Sequence, residues 1–227
     1  MILLNQLNGS LVVSCQPVDD GPMDSPEITA AMALAAEAGG AAGVRIEGLG
    51  NLAATRPKTG LPLIGIIKRD LKDSRVRISP FRQDIIQLAE LGADIIAYDA
   101  TDRPRPESTA SLAQQIKDCG KIAMADCANL ADGRRAMDEG ADIIGTTLSG
   151  YAYDMASAGA SPDFALISAF AELGGFVMAE GRFNSPELAA RAMVAGANCV
   201  TVGSAVTRIE HITDWFVQAV SQPGKST

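Results

Sequence analysis

Three observations predict a single-domain α/β chain folded as a (β/α)8 TIM barrel. Eight short apolar runs of strand length follow one another along the 227 residues. Stretches of helical periodicity separate most of them, the pattern of a parallel sheet covered on both faces. One phrase also recurs, as LGADIIAYD (91–99), EGADIIGTT (139–147), AGANCVTVG (195–203) and, more loosely, GGAAGVRIE (39–47). Each copy carries a glycine suited to end a helix just before a strand. The glycines Gly40, Gly92, Gly140 and Gly196 are spaced at about twice one strand–helix unit, so the phrase marks strands 2, 4, 6 and 8. An open doubly wound sheet, the competing arrangement, offers no reason for a fourfold echo.

The predicted strands are LVVSCQ (11–16), GVRIE (43–47), PLIGIIK (62–68), DIIAYD (94–99), KIAMAD (121–126), DIIGTT (142–147), GFVMAE (175–180) and CVTVG (199–203). Helical spacing shows at Ile28, Met32 and Ala35, and again at Ile85, Leu88 and Ala89. Ser25-Pro26, Ser79-Pro80, Ser161-Pro162 and Ser185-Pro186 read as helix starts. In each, a serine hydroxyl can accept from free N–H groups, and proline stands where its missing N–H costs nothing. Glu27 and Glu187 add favourable charge in a first turn. The barrel is expected over residues 1–220, with a short polar tail, SQPGKST, over 221–227.

Composition narrows the function. A formal net charge of −8 with no basic run argues against nucleic acid. A phosphorylated small substrate remains compatible if local cations or backbone N–H groups receive it. The N-terminal MILLNQLNGS has no basic residue and only Ile2 to Leu4 as an apolar core, unlike a secretory signal. No run approaches the roughly 18 apolar residues of a spanning helix, so no membrane association is expected. Cys15, Cys119, Cys127 and Cys199 show no CxxC spacing and read as reduced thiols of a cytoplasmic protein. The single histidine, His211, lies past the last strand and is expected on the surface, which leaves no His/Asp metal centre. No GxGxxG follows a strand, and no cofactor is expected.

Barrel chemistry belongs at the C-terminal strand ends. In order these carry Gln16, Arg45 with Glu47, Lys68, Asp99, Asp126, Thr146, Glu180, and Gly203-Ser204. Lys68 and Glu180 close strands 3 and 7, four apart in an eight-membered ring, so a ligand across the mouth would meet an amine on one side and an acid on the other. Proton removal and return at carbon needs such a pair. Desolvation and the cations Arg45 and Arg69 would bring Lys68 toward neutrality. The same lysine could instead form a Schiff base with a carbonyl substrate. Gly181 with Arg182, and Gly203 with Ser204 and Arg208, occupy the loops after strands 7 and 8, where barrels often hold phosphate. Cys15 and Cys127 adjoin site positions and should face the opposite side of their strands.

With these residues in place, VSCQP, GVRIEG, GIIKRD, AYDATDRPRP, MADCAN, GTTLSGY, AEGRFNSP and VGSAVTRIE make nearly the whole chain resemble the N-acylglucosamine-6-phosphate 2-epimerases, also called N-acetylmannosamine-6-phosphate 2-epimerases. The resemblance implies a barrel enzyme of sialic acid and amino-sugar catabolism. It would interconvert N-acetylmannosamine 6-phosphate and N-acetylglucosamine 6-phosphate at C2 of the ring-opened sugar. It also implies Lys68 and Glu180 as the catalytic pair and Gln16, Arg45, Asp126 and Arg208 as substrate contacts. The segment AYDMASAGASPDF after GTTLSGY departs from the family pattern. A Schiff-base lyase acting through Lys68 and a non-catalytic phosphosugar-binding protein are the alternatives. Exposed apolar helices would suit a homodimer.

Overall fold

The computed structural model describes residues 2–153 and 161–222. Its strands are β1 (Ser10–Cys15), β2 (Gly43–Glu47), β3 (Leu63–Ile66), β4 (Ile95–Asp99), β5 (Ile122–Asp126), β6 (Ile143–Gly145), β7 (Phe176–Glu180) and β8 (Cys199–Val202). Each pairs in parallel with the next, and β8 returns to β1, with Ser10 beside Cys199, to close the barrel. The helices are α1 (Ile2–Leu7), α2 (Pro26–Ala38), α3 (Leu49–Thr55), α4 (Arg82–Glu90), α5 (Thr109–Asp118), α6 (Leu130–Asp138), α7 (Phe164–Leu173), α8 (Pro186–Val194), α9 (Ser204–Thr207) and α10 (Ile209–Ser221). No helix among the described residues is long and apolar enough to cross a membrane.

Two apolar cores follow from the two-residue period of the strands. Val12, Ile64, Ile66, Ile95, Ala97, Met124, Ile143, Met178 and Cys199 form one cluster inside the barrel, together with Leu7 of α1. The intervening residues, such as Val13, Val44, Leu63, Ile96, Ala125 and Val177, pack outward against the helices. Cys15 and Cys127 belong to this outer layer, as strand alternation requires. Burial pushes the Cys15 thiol up to about 12 and that of Cys127 well above its ordinary value, which keeps both protonated.

The glycine inside LPLIGIIK has a packing reason. A Cβ at Gly65 would lie 3.0 Å from the Ala93 Cβ and 3.1 Å from Leu88 Cδ2, so α4 and the turn after it sit directly on β3. Gly65→Val is expected to cost about 1–3 kcal/mol through overpacking, read as a lower urea midpoint with unchanged slope.

Two of the four serine–proline starts behave as expected. Ser25 and Ser185 cap α2 and α8, accepting from Ile28 and Leu188 N–H, with proline in the first turn. The other two do not. Ser79 sits at φ 42° and turns its hydroxyl to the Ile67 N–H (3.3 Å), so α4 starts later, behind Phe81 and without a side-chain cap. At α7 the cap is Asp163, which accepts from Leu166 N–H (2.9 Å). In both places a backbone group outside the helix, or a better acceptor nearer it, displaced the serine. β3 is also shorter than predicted: it ends at Ile66, and Lys68 forms an isolated antiparallel bridge with Ile78. Ser221, assigned to the tail, closes α10, while 223–227 and residues 154–160 of the alanine-rich segment lie outside the described residues.

Candidate active site

A cavity of about 560 Å³ opens at the C-terminal ends of the strands. Lys68 and Glu180 both line it, and β3 and β7 stand four apart in the ring, so amine and acid share one space from opposite sides. Gln16, Gly181, Arg182, Gly203, Ser204 and Arg208 line the same cavity.

Lys68 is half-buried and makes no side-chain hydrogen bond or ion pair among the described residues. Its backbone N–H donates to Glu47 Oε1 (3.2 Å), which sets the strand end. Burial lowers the amine pKa, with Arg208 and Arg45 acting in the same sense and Glu47 and Asp19 opposing. Arg69, expected to share in this, instead points outward and pairs with the buried Asp84 at 2.5 Å.

Glu180 is held from behind. Arg45 donates through Nη2 to Asp126 Oδ2 (2.6 Å) and through Nη1 to both Asp126 Oδ1 (3.2 Å) and Glu180 Oε2 (2.7 Å). Arg45 and Asp126 are 1% and 0% exposed, Glu180 14%. Burial pushes the Glu180 carboxyl up to about 7; Arg45 pulls against this and Asp126 adds to it. Burial alone would lower the Arg45 pKa, but Asp126 and Glu180 outweigh it and hold the guanidinium above its ordinary value. Thr147 Oγ1 donates to Asp126 Oδ1 (2.6 Å) from the cavity wall. Thr146 fixes the neighbouring backbone, donating to the Glu180 carbonyl (2.9 Å) and accepting from the Glu180 N–H (3.0 Å).

This arrangement gives a pH dependence of known sign. A carboxyl that titrates near 4.5 when unfolded and near 7 when folded favours the native state while it stays protonated. Its contribution is complete below the lower value and is lost as pH rises through the upper one. Between about pH 5 and pH 8 the parent chain is therefore expected to lose more stability than Glu180→Gln, measured as urea midpoints at both ends of the window. Equal losses would count against a protonated Glu180 in the native state.

The remaining lining comes from β7 and β8. Gly181 holds φ 109°, a conformation that disfavours a side chain. Gly203 precedes α9, and Ser204 opens it. Arg208 Nε donates to the Gln16 carbonyl (3.0 Å), tying the last loop to the end of β1. Arg182 spends Nε on the Ser161 carbonyl and Nη1 on that of Ser149, both at 2.7 Å, and lies over the Tyr151 ring.

Several expectations change. Arg45 and Asp126, expected to touch the substrate, are not among the residues lining the cavity; they sit buried behind Glu180. Asp99 is taken up by Arg103 Nη2 (2.5 Å) and the Thr101 hydroxyl, anchoring the loop after β4. Thr146 is buried, and its neighbour Thr147 reaches the cavity. Ser14 and Thr201 also line it; counting back two from Gln16 and from Gly203 would have found them. His211, expected clear of the site, lines the cavity with Trp215 from the first turns of α10. No local pattern announces that.

A family model described as "Putative N-acetylmannosamine-6-phosphate epimerase" matches residues 29–222. The chain belongs to this epimerase family. Among its relatives in the epimerase family, a protein of Aliivibrio fischeri is 57% identical over 217 residues, covering 96% of this chain and 92% of its own. One of Haemophilus influenzae is 55% identical over 221 residues, covering 96% and 95%. Both are named "Putative N-acetylmannosamine-6-phosphate 2-epimerase". A solved structure described as the N-acetylmannosamine-6-phosphate 2-epimerase from Clostridium perfringens superposes with a TM-score of 0.92 at 38% identity, over 95% of each chain. A thiamine phosphate pyrophosphorylase from Pyrococcus furiosus, at TM-score 0.60 and 16% identity over 90% and 89%, shares the fold alone.

Proposed function

We propose that this epimerase-family chain interconverts N-acetylmannosamine 6-phosphate and N-acetylglucosamine 6-phosphate by moving a proton at C2. The observation that carries the reading is the shared cavity of Lys68 and Glu180, whose pKa values are displaced toward each other, the amine downward and the acid upward. Such displacement suits a base and an acid working at the same pH. The sugar opens first, because only next to a free aldehyde is the C2 proton acidic enough to remove. Neutral Lys68 takes that proton and becomes an ammonium, and the electron pair moves onto the aldehyde oxygen. Protonated Glu180 gives its proton to C2 from the opposite face and becomes a carboxylate beside Arg45. Solvent exchange restores both groups, and the reverse reaction exchanges their roles. The phosphate lies against Gly181, Gly203 and Ser204, with Arg182 and Arg208 adding charge, and its binding energy fixes the sugar for both transfers. Gln16, just beyond β1, contacts the sugar. Arg45 and Asp126 act by orienting and polarising the acid.

The deciding experiment is turnover of N-acetylmannosamine 6-phosphate followed by proton NMR. Appearance of the C2 epimer is expected, and no turnover by folded protein overturns the reading. Borohydride trapping of a covalent adduct at Lys68 would favour the lyase chemistry instead.

The chain is further read as a cytoplasmic homodimer. Its cysteines are free, as in a reducing compartment. Ile209, Phe216, Val217 and Val220 leave an exposed stripe along α10, with Phe216 70% and Val220 79% exposed. Light scattering is expected to give twice the 23.6 kDa chain mass, and Phe216→Asp to halve it. A parent chain that is monomeric at micromolar concentration would sink the dimer.

A further inference from the structure

Of the steps in the proposed reaction, ring opening alone has no side chain assigned to it. It breaks the C1–O5 bond. The bonding pair stays on O5, which takes up a proton, while the O1 hydroxyl loses its proton and its electrons form the C1 carbonyl. In the closed ring O5 is bonded to C5, which carries C6 and the phosphate, and C2 lies across the ring from C5. With C2 between Lys68 and Glu180 and the phosphate at the β7 and β8 loops, O5 turns toward the phosphate end.

That end carries one side chain suited to the proton transfer. Two hydrogen bonds tie the junction of α9 and α10 to the end of β1. Thr207 Oγ1 donates to the Ser14 carbonyl (2.8 Å) and Arg208 Nε to that of Gln16 (3.0 Å). They set the first turn of α10 beside the mouth, and Arg208, His211 and Trp215, at helical spacing, line the cavity from it. The exposed apolar residues Ile209, Phe216 and Val220 fall on the opposite face of the helix. His211 is exposed, so solvent reaches its ring.

Elimination among the titratable groups lining the cavity leads to the same residue. Lys68 and Glu180 are engaged at C2. Arg182 and Arg208 are guanidinium groups, which do not give up protons. Tyr151 is shared with a second chamber of about 460 Å³ that continues beyond Lys68 and that no residue of α10 lines. His211 remains, the only histidine in the chain. Imidazole gives a proton from one nitrogen and accepts one at the other near neutral pH.

We propose that His211 is a further catalytic residue, the acid that opens the sugar ring. This rests on the epimerase reading above. The imidazolium gives a proton to O5 as the C1–O5 bond breaks, and water takes the O1 proton. When the product ring closes, O5 returns its proton to the imidazole and water protonates O1.

The test separates ring opening from the chemistry at C2. In Lys68→Met, which cannot take the C2 proton, exchange between the α and β anomers of N-acetylglucosamine 6-phosphate is followed by NMR magnetisation transfer at H1. Lys68→Met is expected to speed this exchange over the protein-free rate. Adding His211→Gln is expected to lower the acceleration by about 10²–10⁴-fold, the contribution of a positioned acid, because glutamine keeps a donor but gives up no proton. His211→Gln alone is expected to lower kcat for N-acetylmannosamine 6-phosphate and to keep the parent's melting temperature, since the side chain is exposed. Anomer exchange unaffected by His211→Gln, or a kcat equal to the parent's, overturns His211 as the acid and leaves the epimerase reading intact. Exchange no faster with Lys68→Met than without protein overturns it too, because opening would then depend on the lysine. No turnover by the parent chain overturns the epimerase reading itself. His211→Asn repeats both measurements should His211→Gln not fold.

Discussion

Lys68→Met is expected to fold like the parent chain and to lose about 10²–10⁴-fold in kcat, the span that a positioned general base contributes. Methionine keeps the length and apolar stem of lysine but cannot accept a proton. Stability is expected to hold or rise slightly, because the amine is partly desolvated and has no ion-pair partner among the described residues to lose. Thermal unfolding and turnover on the same preparation separate the two effects. In D2O the parent is expected to place solvent deuterium at C2, and Lys68→Met to abolish that exchange on the lysine face. A variant with near-parent rates would remove Lys68 from the mechanism, and product free of deuterium would remove proton exchange with a protein base.

Arg45→Met is expected to be the most destabilising single change at the site, by about 3–5 kcal/mol, because two carboxyl groups would remain buried with their cation gone. For a chain of this size that corresponds to a melting temperature lower by about 6–20 °C. The loss is expected to shrink as pH falls and the orphaned carboxyls protonate, which distinguishes a charge effect from a lost packing contact. Differential scanning calorimetry at two pH values reads it directly. A small, pH-independent loss would mean that Arg45 mainly fills space. Activity is expected to fall as well, since Glu180 loses both its orienting donor at 2.7 Å and the cation that moderates its pKa.

The two variants contrast because the residues occupy different depths on the same kind of position. Lys68 and Arg45 both lie on the inward parity of their strands. One stands at the rim with an amine that has no ion-pair partner among the described residues, and the other lies below it with both terminal nitrogens donating to carboxylates. Sequence alternation identifies parity but not depth, because depth depends on how far each strand is staggered against its neighbours in the closed ring.

The same distinction separates other readings. The eight strands, their order and the polar strand ends were legible, because alternation and apolar runs are local properties of the chain. Thr146 was chosen over Thr147 because the count stopped one residue short of the inward-facing position; Gly145 and Thr147 share the inward parity with Ile143. Ser79 looked like a helix cap, yet the end of β3, twelve residues away, claims its hydroxyl. His211 and Trp215 carry no strand-end signature at all, and reach the cavity only through the path of α10.

By itself, the sequence determined the barrel, the inward set of side chains and the family, since each rests on short-range periodicity and on phrases of adjacent residues. Only the tertiary structure decided that Arg45 and Asp126 stand behind the acid rather than in the cavity, and that a second chamber continues beyond Lys68. Those facts depend on strands β2, β5 and β7 meeting across the barrel axis and on three separate loops converging at its rim. Residues far apart along the chain acquire their distances and burial only when the ring closes, and electrostatics follows distance and burial.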